Sequence, residues 1–320
     1  MLELLELTFG KIKPLVMKNY ILVCCFVSSF FALSQAQRDT IKVFYLGGQS
    51  NMQGYGFNKD LPNKLKKIEN VYIFQGNPVG DNQPNGGLGK WEELKEGNGT
   101  DFSSNGKNNN YSSRFGIELS FAYRLKELYP NDKIAIIKYS RNGSSIDSLA
   151  ANNFGSWDVN FQSGKGLNQY DFFLKTVLNA LSVSDINNDN IQDVLLPSGI
   201  LWMQGESDSD KTEAIANKYY ENLSQLMKLM KAAFHDNDLP IVLGKISESG
   251  DDSDGKVWTY GEIIQAAQER FVAHNKNSAI VRETNTYNYS DKYHYTSNGF
   301  IQLGNAFANA IHQLTTKINN

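Results

Sequence analysis

Sulfur chemistry is nearly missing from this chain. Its 320 residues include two cysteines, Cys24 and Cys25, and both lie inside a short apolar run near the N-terminus. Everything after that run has none, which excludes disulfides, thiolate metal sites and a cysteine nucleophile there. Histidine is almost as scarce. His235, His274, His294 and His312 form no cluster that suggests a metal, so no metal is expected. No apolar stretch is long enough to cross a bilayer as a helix, since Tyr20 to Leu33 falls short of the roughly 20 residues required. A basic stripe is absent too. The formal net charge is -3, which argues against nucleic acid or an anionic membrane as partner.

What the N-terminus does have is a targeting pattern. Lys18 precedes the apolar run, and Ser34-Gln35-Ala36 places small residues at the two positions a signal peptidase reads. Cleavage after Ala36 is expected, with Met17 as an alternative start. Residues 1–36 are then an N-terminal extension and signal peptide, and residues 37–320 a single domain. The protein is expected to be exported, periplasmic or extracellular, with no integral membrane association after cleavage. Losing Lys11, Lys13 and Lys18 along with Glu3 and Glu6 leaves the remainder one charge more negative than the full chain.

Strand-like and helix-like runs alternate along that remainder, which points to an α/β fold with a central parallel sheet. The expected strands are Ile41–Gly47, Val71–Phe74, Lys133–Tyr139, Leu196–Met203 and Pro240–Ile246, with Ala279–Arg282 a weaker one. Helical spacing joins Phe115, Leu119, Ala122 and Leu125. It also joins Ile215, Tyr219, Leu223, Leu226, Met230 and Phe234, and then Phe300, Leu303, Phe307, Ile311 and Leu314. These stripes read as core. Two Gly- and Asn-rich stretches, Gly76 to Ser113 and Ala151 to Gly166, are long for loops and leave the carboxyl ends of strands, where α/β sheets place their sites. Their aromatics, Trp91, Phe102, Phe154, Trp157 and Phe161, either stack on sugar rings or pin the loops to the body.

The chemistry gathers at those strand ends. The run Ile41-Lys42-Val43-Phe44-Tyr45-Leu46 ends in Gly47-Gly48-Gln49-Ser50, so a fixed strand and two turn-permitting glycines present a serine hydroxyl. The third strand runs into Ser140-Arg141-Asn142-Gly143-Ser144, and the fourth into Gln204-Gly205-Glu206-Ser207-Asp208. Asp291 stands three residues before His294, close enough to orient it on one loop. Acyl transfer needs a nucleophile, a base, an orienting acid and donors for the oxyanion. Ser50, His294 and Asp291 fit the first three roles. The amides of Ser50 and Gly143 and the carboxamide of Gln204 fit the fourth. Glu206 is the rival acid, or a support for the Gln204 loop. Gln49, Asn142 and Trp157 are candidates for substrate contact. Taken singly, Ser50 reads as a helix cap and Gly143 as a turn residue.

Gly48-Gln49-Ser50-Asn51-Met52, Asn142-Gly143-Ser144-Ser145-Ile146, Trp202-Met203-Gln204-Gly205-Glu206-Ser207-Asp208 and Asp291-Lys292-Tyr293-His294 occur in order across the chain. Together they resemble the blocks of the SGNH hydrolase superfamily, and within it the sialate O-acetylesterase and acetylxylan esterase branch, carbohydrate esterase family six. The resemblance implies a flavodoxin-like three-layer α/β/α sandwich. It also implies serine-dependent removal of O-acetyl groups from carbohydrates without metal or organic cofactor. General SGNH enzymes place asparagine where this chain has Gln204, as its closer branch does. The second block more often reads Gly-Gly than Asn142-Gly143, and asparagine is expected to permit the turn because it tolerates unusual φ. Two other readings remain open: an esterase acting on a lipid or another acyl group, and a carbohydrate-binding protein without catalysis.

Overall fold

The computed structural model describes residues 38–79, 83–162 and 167–318. The expected leader, residues 1–36, lies outside the described residues, as do 80–82 and 163–166 of the two long loops. Seven strands form the main sheet: β1 Thr40–Gly48, β2 Lys67–Gln75, β3 Glu92–Lys95, β4 Lys133–Ser140, β5 Val194–Met203, β6 Ile241–Gly244 and β7 Ser278–Val281. Their order is β7-β6-β5-β1-β4-β2-β3, with every neighbouring pair parallel except β2 and β3. Without the β2–β3 pair, the remaining five strands keep the 2-1-3-4-5 order of the flavodoxin-like fold. Each expected strand is found within a few residues of its expected ends. β3 was not expected. It lies in the Gly- and Asn-rich stretch and pairs antiparallel at the edge, so the sheet is mostly rather than wholly parallel.

The helices are α1 Ser50–Gln53, α2 Glu118–Leu128, α3 Gln169–Leu181, α4 Glu213–Asn217, α5 Tyr219–Ala233, α6 Gly261–His274 and α7 Ser297–Ile318. α2 packs on α7, and α5 packs on α6. β1 is buried throughout from Val43 to Gly48, with only Thr40 exposed and Lys42 half-buried at its start, as expected for a strand covered on both faces. The stripe from Ile215 to Phe234 is carried by two consecutive helices rather than one, with Thr212 capping the first through Ile215 N. Phe115 lies in a short bridge before α2, buried all the same. α3 and α6 carry apolar faces that the sequence reading did not single out. Among the described residues, no helix is long and apolar enough to cross a membrane.

One register fact positions the site. Gly48 pairs with Ser140 on β4 and with Met203 on β5. The three strands therefore end level, and the residues that follow each of them emerge side by side. β1 is also where the order reverses, with β4 on one flank and β5 on the other. Open α/β sheets bind ligands in the crevice at that point.

Candidate active site

Gly48 makes the first turn possible. Its φ is 141°, and a Cβ there would lie 2.0 Å from Met203 O. No side chain fits so close a backbone approach. Gln49 N then donates to Met203 O at 2.9 Å, which brings Ser50 to the head of α1 beside the end of β5. On the other flank, Arg141 N donates to Gly48 O at 3.1 Å. Gly143 takes φ +67°, so the left-handed turn falls on the glycine and Asn142 needs no unusual φ. Among the described residues, the amides of Ser50 and Gly143 have no protein acceptor.

The short segment from Ser50 to Tyr55 ties the other loops to itself. Asn51 Nδ2 donates to Tyr293 O at 3.2 Å and to Glu206 Oε1 at 3.0 Å, while Asn51 Oδ1 accepts from Tyr295 N at 3.4 Å. These bonds clamp both neighbours of His294 to the residue after Ser50. Gln53 Oε1 accepts from Asn142 N at 2.8 Å, and Asn142 Nδ2 donates to Tyr55 OH at 3.1 Å. The Tyr55 ring in turn stacks on His294. Asn51, Gln53 and Tyr55 were not assigned roles from the sequence. Asn51 stood in the Ser50 block, but its bonding partners lie more than 150 residues away and leave no local signal.

Asp291 and His294 meet as their spacing suggested. The Asp291 carboxylate bonds His294 Nδ1 at 2.9 Å, and also accepts from Tyr293 N at 2.7 Å and His294 N at 2.8 Å. Partial burial raises the Asp291 pKa, but the imidazole and the two amides outweigh it and hold the carboxyl below its ordinary value. With Nδ1 engaged, Nε2 is the free ring nitrogen. No hydrogen bond joins the Ser50 hydroxyl to the imidazole in this structure, a bond that often tightens only with substrate bound.

No hydrogen bond or ion pair joins Glu206 to His294. Glu206 is buried at 2% exposure, its Oε1 accepts from Asn51, and its Oε2 has no partner among the described residues. Burial pushes its pKa up. The geometry thus pairs Asp291, not Glu206, with the imidazole.

Gln204 departs from expectation. It is fully buried, and Nε2 already donates to Asp208 Oδ2 at 2.6 Å, Ser144 O at 3.2 Å and Gln49 Oε1 at 3.2 Å. A carboxamide has two N–H groups, and here both face protein acceptors. Gln204 is therefore a tie under the site and not a donor into it. Gln49 is likewise mostly spent: its Oε1 accepts from Gln204, Gly205 N and Ser207 N, which leaves only Nε2 without a protein partner among the described residues. Asp208, which had no assigned role, holds the loop after β4 through Ile146 N at 2.9 Å and Asp147 N at 2.8 Å. Burial raises the Asp208 pKa to about 6, although those amides and Gln204 pull the other way.

Trp157 is also corrected. It is 1% exposed, sits edge-on to Trp202 and Tyr139, and donates from Nε1 to Ser144 Oγ at 2.9 Å. With no open face it cannot stack on a sugar; it pins its loop. Trp91 does the same for the other long loop, donating to Ala180 O at 3.0 Å. Phe154 differs, because it is 39% exposed and its ring lies where a Cβ on Gly143 would be. A cavity of about 740 Å³ between β7 and α7, lined by Arg282, Tyr287 and Asn305 among others, contains none of these residues. It offers no nucleophile–base pair, so chemistry rather than volume places the site. Among the described residues, no three metal-ligating side chains converge.

A family model described as carbohydrate esterase, sialic acid-specific acetylesterase, matches residues 40–313. The chain belongs to that family. This carbohydrate esterase is thus a carboxylic ester hydrolase with O-acetylated carbohydrate as its class of substrate. Comparison with curated protein sequences finds no match. Among solved structures, a protein from Arabidopsis thaliana superimposes with TM-score 0.60 at 20% identity, over 87% of this chain and 99% of the other. NanS gives 0.56 at 16%, over 88% and 99%. A carbohydrate acetylesterase from Xanthomonas citri gives 0.55 at 15%, over 86% and 56%. At such identities the likeness is one of fold alone.

Proposed function

We propose that this esterase releases acetate through an acetyl-serine intermediate, with Ser50 as nucleophile, His294 as base and Asp291 as the orienting acid. His294 Nε2 takes the Ser50 proton while Oγ bonds the acetyl carbonyl carbon. The tetrahedral oxyanion meets the unengaged amides of Ser50 and Gly143, with Gln49 Nε2 as the side-chain donor in place of Gln204. Collapse breaks the bond to the sugar oxygen, which takes the proton from the imidazolium. Water then gives a proton to Nε2 and attacks the acetyl carbonyl; the bond to Oγ breaks, Oγ takes the proton back from the imidazolium, and acetate leaves. Asp291 holds the tautomer and offsets the imidazolium charge.

The observation that carries this reading is the 2.9 Å Asp291–His294 bond, on a loop clamped by Asn51, the residue beside Ser50. We also propose export, supported by the apolar run and by Ser34-Gln35-Ala36 ahead of the β1 strand. The test is acetate release from an aryl acetate and from a panel of acetylated xylan, pectin and sialosides. No release above that of Ser50→Ala on any of them sinks the catalytic reading and favours a binding protein.

A further inference from the structure

Beneath the Ser50 turn lies an ion pair that the reaction itself does not use. Lys138 and Glu118 are both 0% exposed, with Nζ and Oε2 2.8 Å apart. Lys138 sits on β4, level with Leu46 of β1 and Gln75 of β2, all three inside the sheet. An ammonium has three donors, and all three are used. Besides Glu118, they reach Gln53 O at 2.9 Å and Asn98 O at 2.7 Å. Glu118 spends its other oxygen on Gly116 N at 2.8 Å.

A pair this buried is poor evidence of added stability, because desolvating both charges cancels much of their attraction. Burial indeed pulls the Lys138 pKa down, against the pull of Glu118. Apolar side chains could fill the same volume. What they could not do is grip the carbonyl of Gln53, the residue that closes α1. The grip is returned from above, since Gln53 Oε1 accepts from Asn142 N at 2.8 Å. From Asn142 the backbone runs back through Arg141, Ser140 and Tyr139 to Lys138. The result is a closed ring of chain and hydrogen bonds. It has the Ser50 turn on one side and the loop bearing Gly143 on the other.

We propose that Lys138, held by Glu118, is a positioning residue that fixes the separation of the Ser50 and Gly143 amides. The inference rests on the proposed function, in which those amides receive the oxyanion. A small error in donor placement lowers turnover without touching ground-state affinity.

The experiment compares the full chain with Lys138→Met, Lys138→Met/Glu118→Gln and Gln53→Ala, on one aryl acetate, with kcat, KM and Tm measured separately. Lys138→Met is expected to lower kcat by about 10- to 100-fold with KM changed less than about twofold. It also lowers Tm, because Glu118 is left as an unpaired buried charge. Adding Glu118→Gln removes that charge, so Tm recovers while kcat stays low. Gln53→Ala cuts the ring without burying a charge and lowers kcat in the same way at a Tm near that of the natural chain. Recovery of kcat in step with Tm in the double variant, or an undiminished kcat in Gln53→Ala, overturns the inference alone. A natural chain that cleaves no ester overturns the proposed function and this inference with it. Because the double variant relieves the charge, the test survives even if Lys138→Met does not fold.

Discussion

The imidazole of His294 lies flat against the ring of Tyr55, with centroids 3.7 Å apart and planes 6° from parallel. Asp291 grips one ring nitrogen from the side, so the stack and the carboxylate together fix both the tilt and the spin of the base. Tyr55→Phe keeps the plane and loses only the bond to Asn142, and turnover of an aryl acetate should fall by no more than about fivefold. Tyr55→Leu removes the plane, and a loss of about 10- to 100-fold in kcat is expected from a displaced base. Equal activity in the two variants would show that the stack is packing alone.

Ser50→Ala should fold with an unchanged Tm and lose about 10³-fold or more in kcat, as removal of a triad member does. The hydroxyl makes no structural bond among the described residues that its loss would break. A clean preparation retaining a tenth of natural turnover rules out this nucleophile.

The two acids should behave differently. Asp291→Asn keeps the two amide contacts possible but favours the wrong imidazole tautomer, so kcat should drop by orders of magnitude with KM nearly constant. Glu206→Gln should cost less, since a carboxamide oxygen can still accept from Asn51 and the orphaned, buried Oε2 is replaced by a neutral group. Finding Glu206→Gln the more damaging, with Asp291→Asn near natural activity, transfers the orienting role to Glu206.

Gly143→Ala places a Cβ 2.5 Å from the Phe154 ring and forces an L-residue to φ +67°. The backbone term alone costs about 1–2 kcal/mol. Losing one oxyanion donor costs about 10²–10³ in turnover. Both a lower Tm and a large fall in kcat are therefore expected. A kcat close to natural would mean that the Gly143 amide does not face the reacting oxygen.

Asp208 sets a pH signature of stability. Its folded pKa of about 6 lies above the ordinary 3.8, so the folded protein holds a proton that the unfolded chain has released. Asp208 thus favours the fold fully below the unfolded pKa, and this contribution is lost as pH rises through about 6. Two units correspond to roughly 3 kcal/mol, an upper figure for one group. Asp208→Asn should lower Tm overall, because its one acceptor oxygen cannot serve both the loop amides and Gln204, yet flatten the decline between about pH 4 and 6. Asp208 also helps to raise the Glu206 pKa, so the same comparison in a Glu206→Gln background isolates the Asp208 contribution. Parallel Tm curves for the two across that range contradict the assignment.

The strands were readable because a strand covered on both faces is a run of apolar residues, and such a run needs no partner to be seen. β3 was not, since Glu92-Glu93-Leu94-Lys95 is an edge with one buried residue. The Asp291–His294 pair was legible because three residues of spacing bring them together on one loop. Gln204 was misjudged for the opposite reason. A carboxamide at the end of a strand can donate into the site or downward, and only the placement of Asp208 and Ser144 decides which. The Trp157 ambiguity was of the same kind, settled by Trp202 and Tyr139, which are distant in the sequence. Lys138 gave no sign at all, being a single charge inside an otherwise apolar strand.

The central place of β1 has a consequence for how the molecule comes to exist. β1 pairs with β4 and β5, whose residues follow it by roughly 90 and 150 positions. β1 thus has to wait for neighbours that are made long after it. At synthesis rates of about 5–20 residues per second, its two apolar edges wait many seconds for their neighbours. Unpaired edges of that kind invite association with other chains. Folding should therefore be slow and sensitive to concentration, and a chain interrupted before Met203 should yield aggregate rather than a partial enzyme.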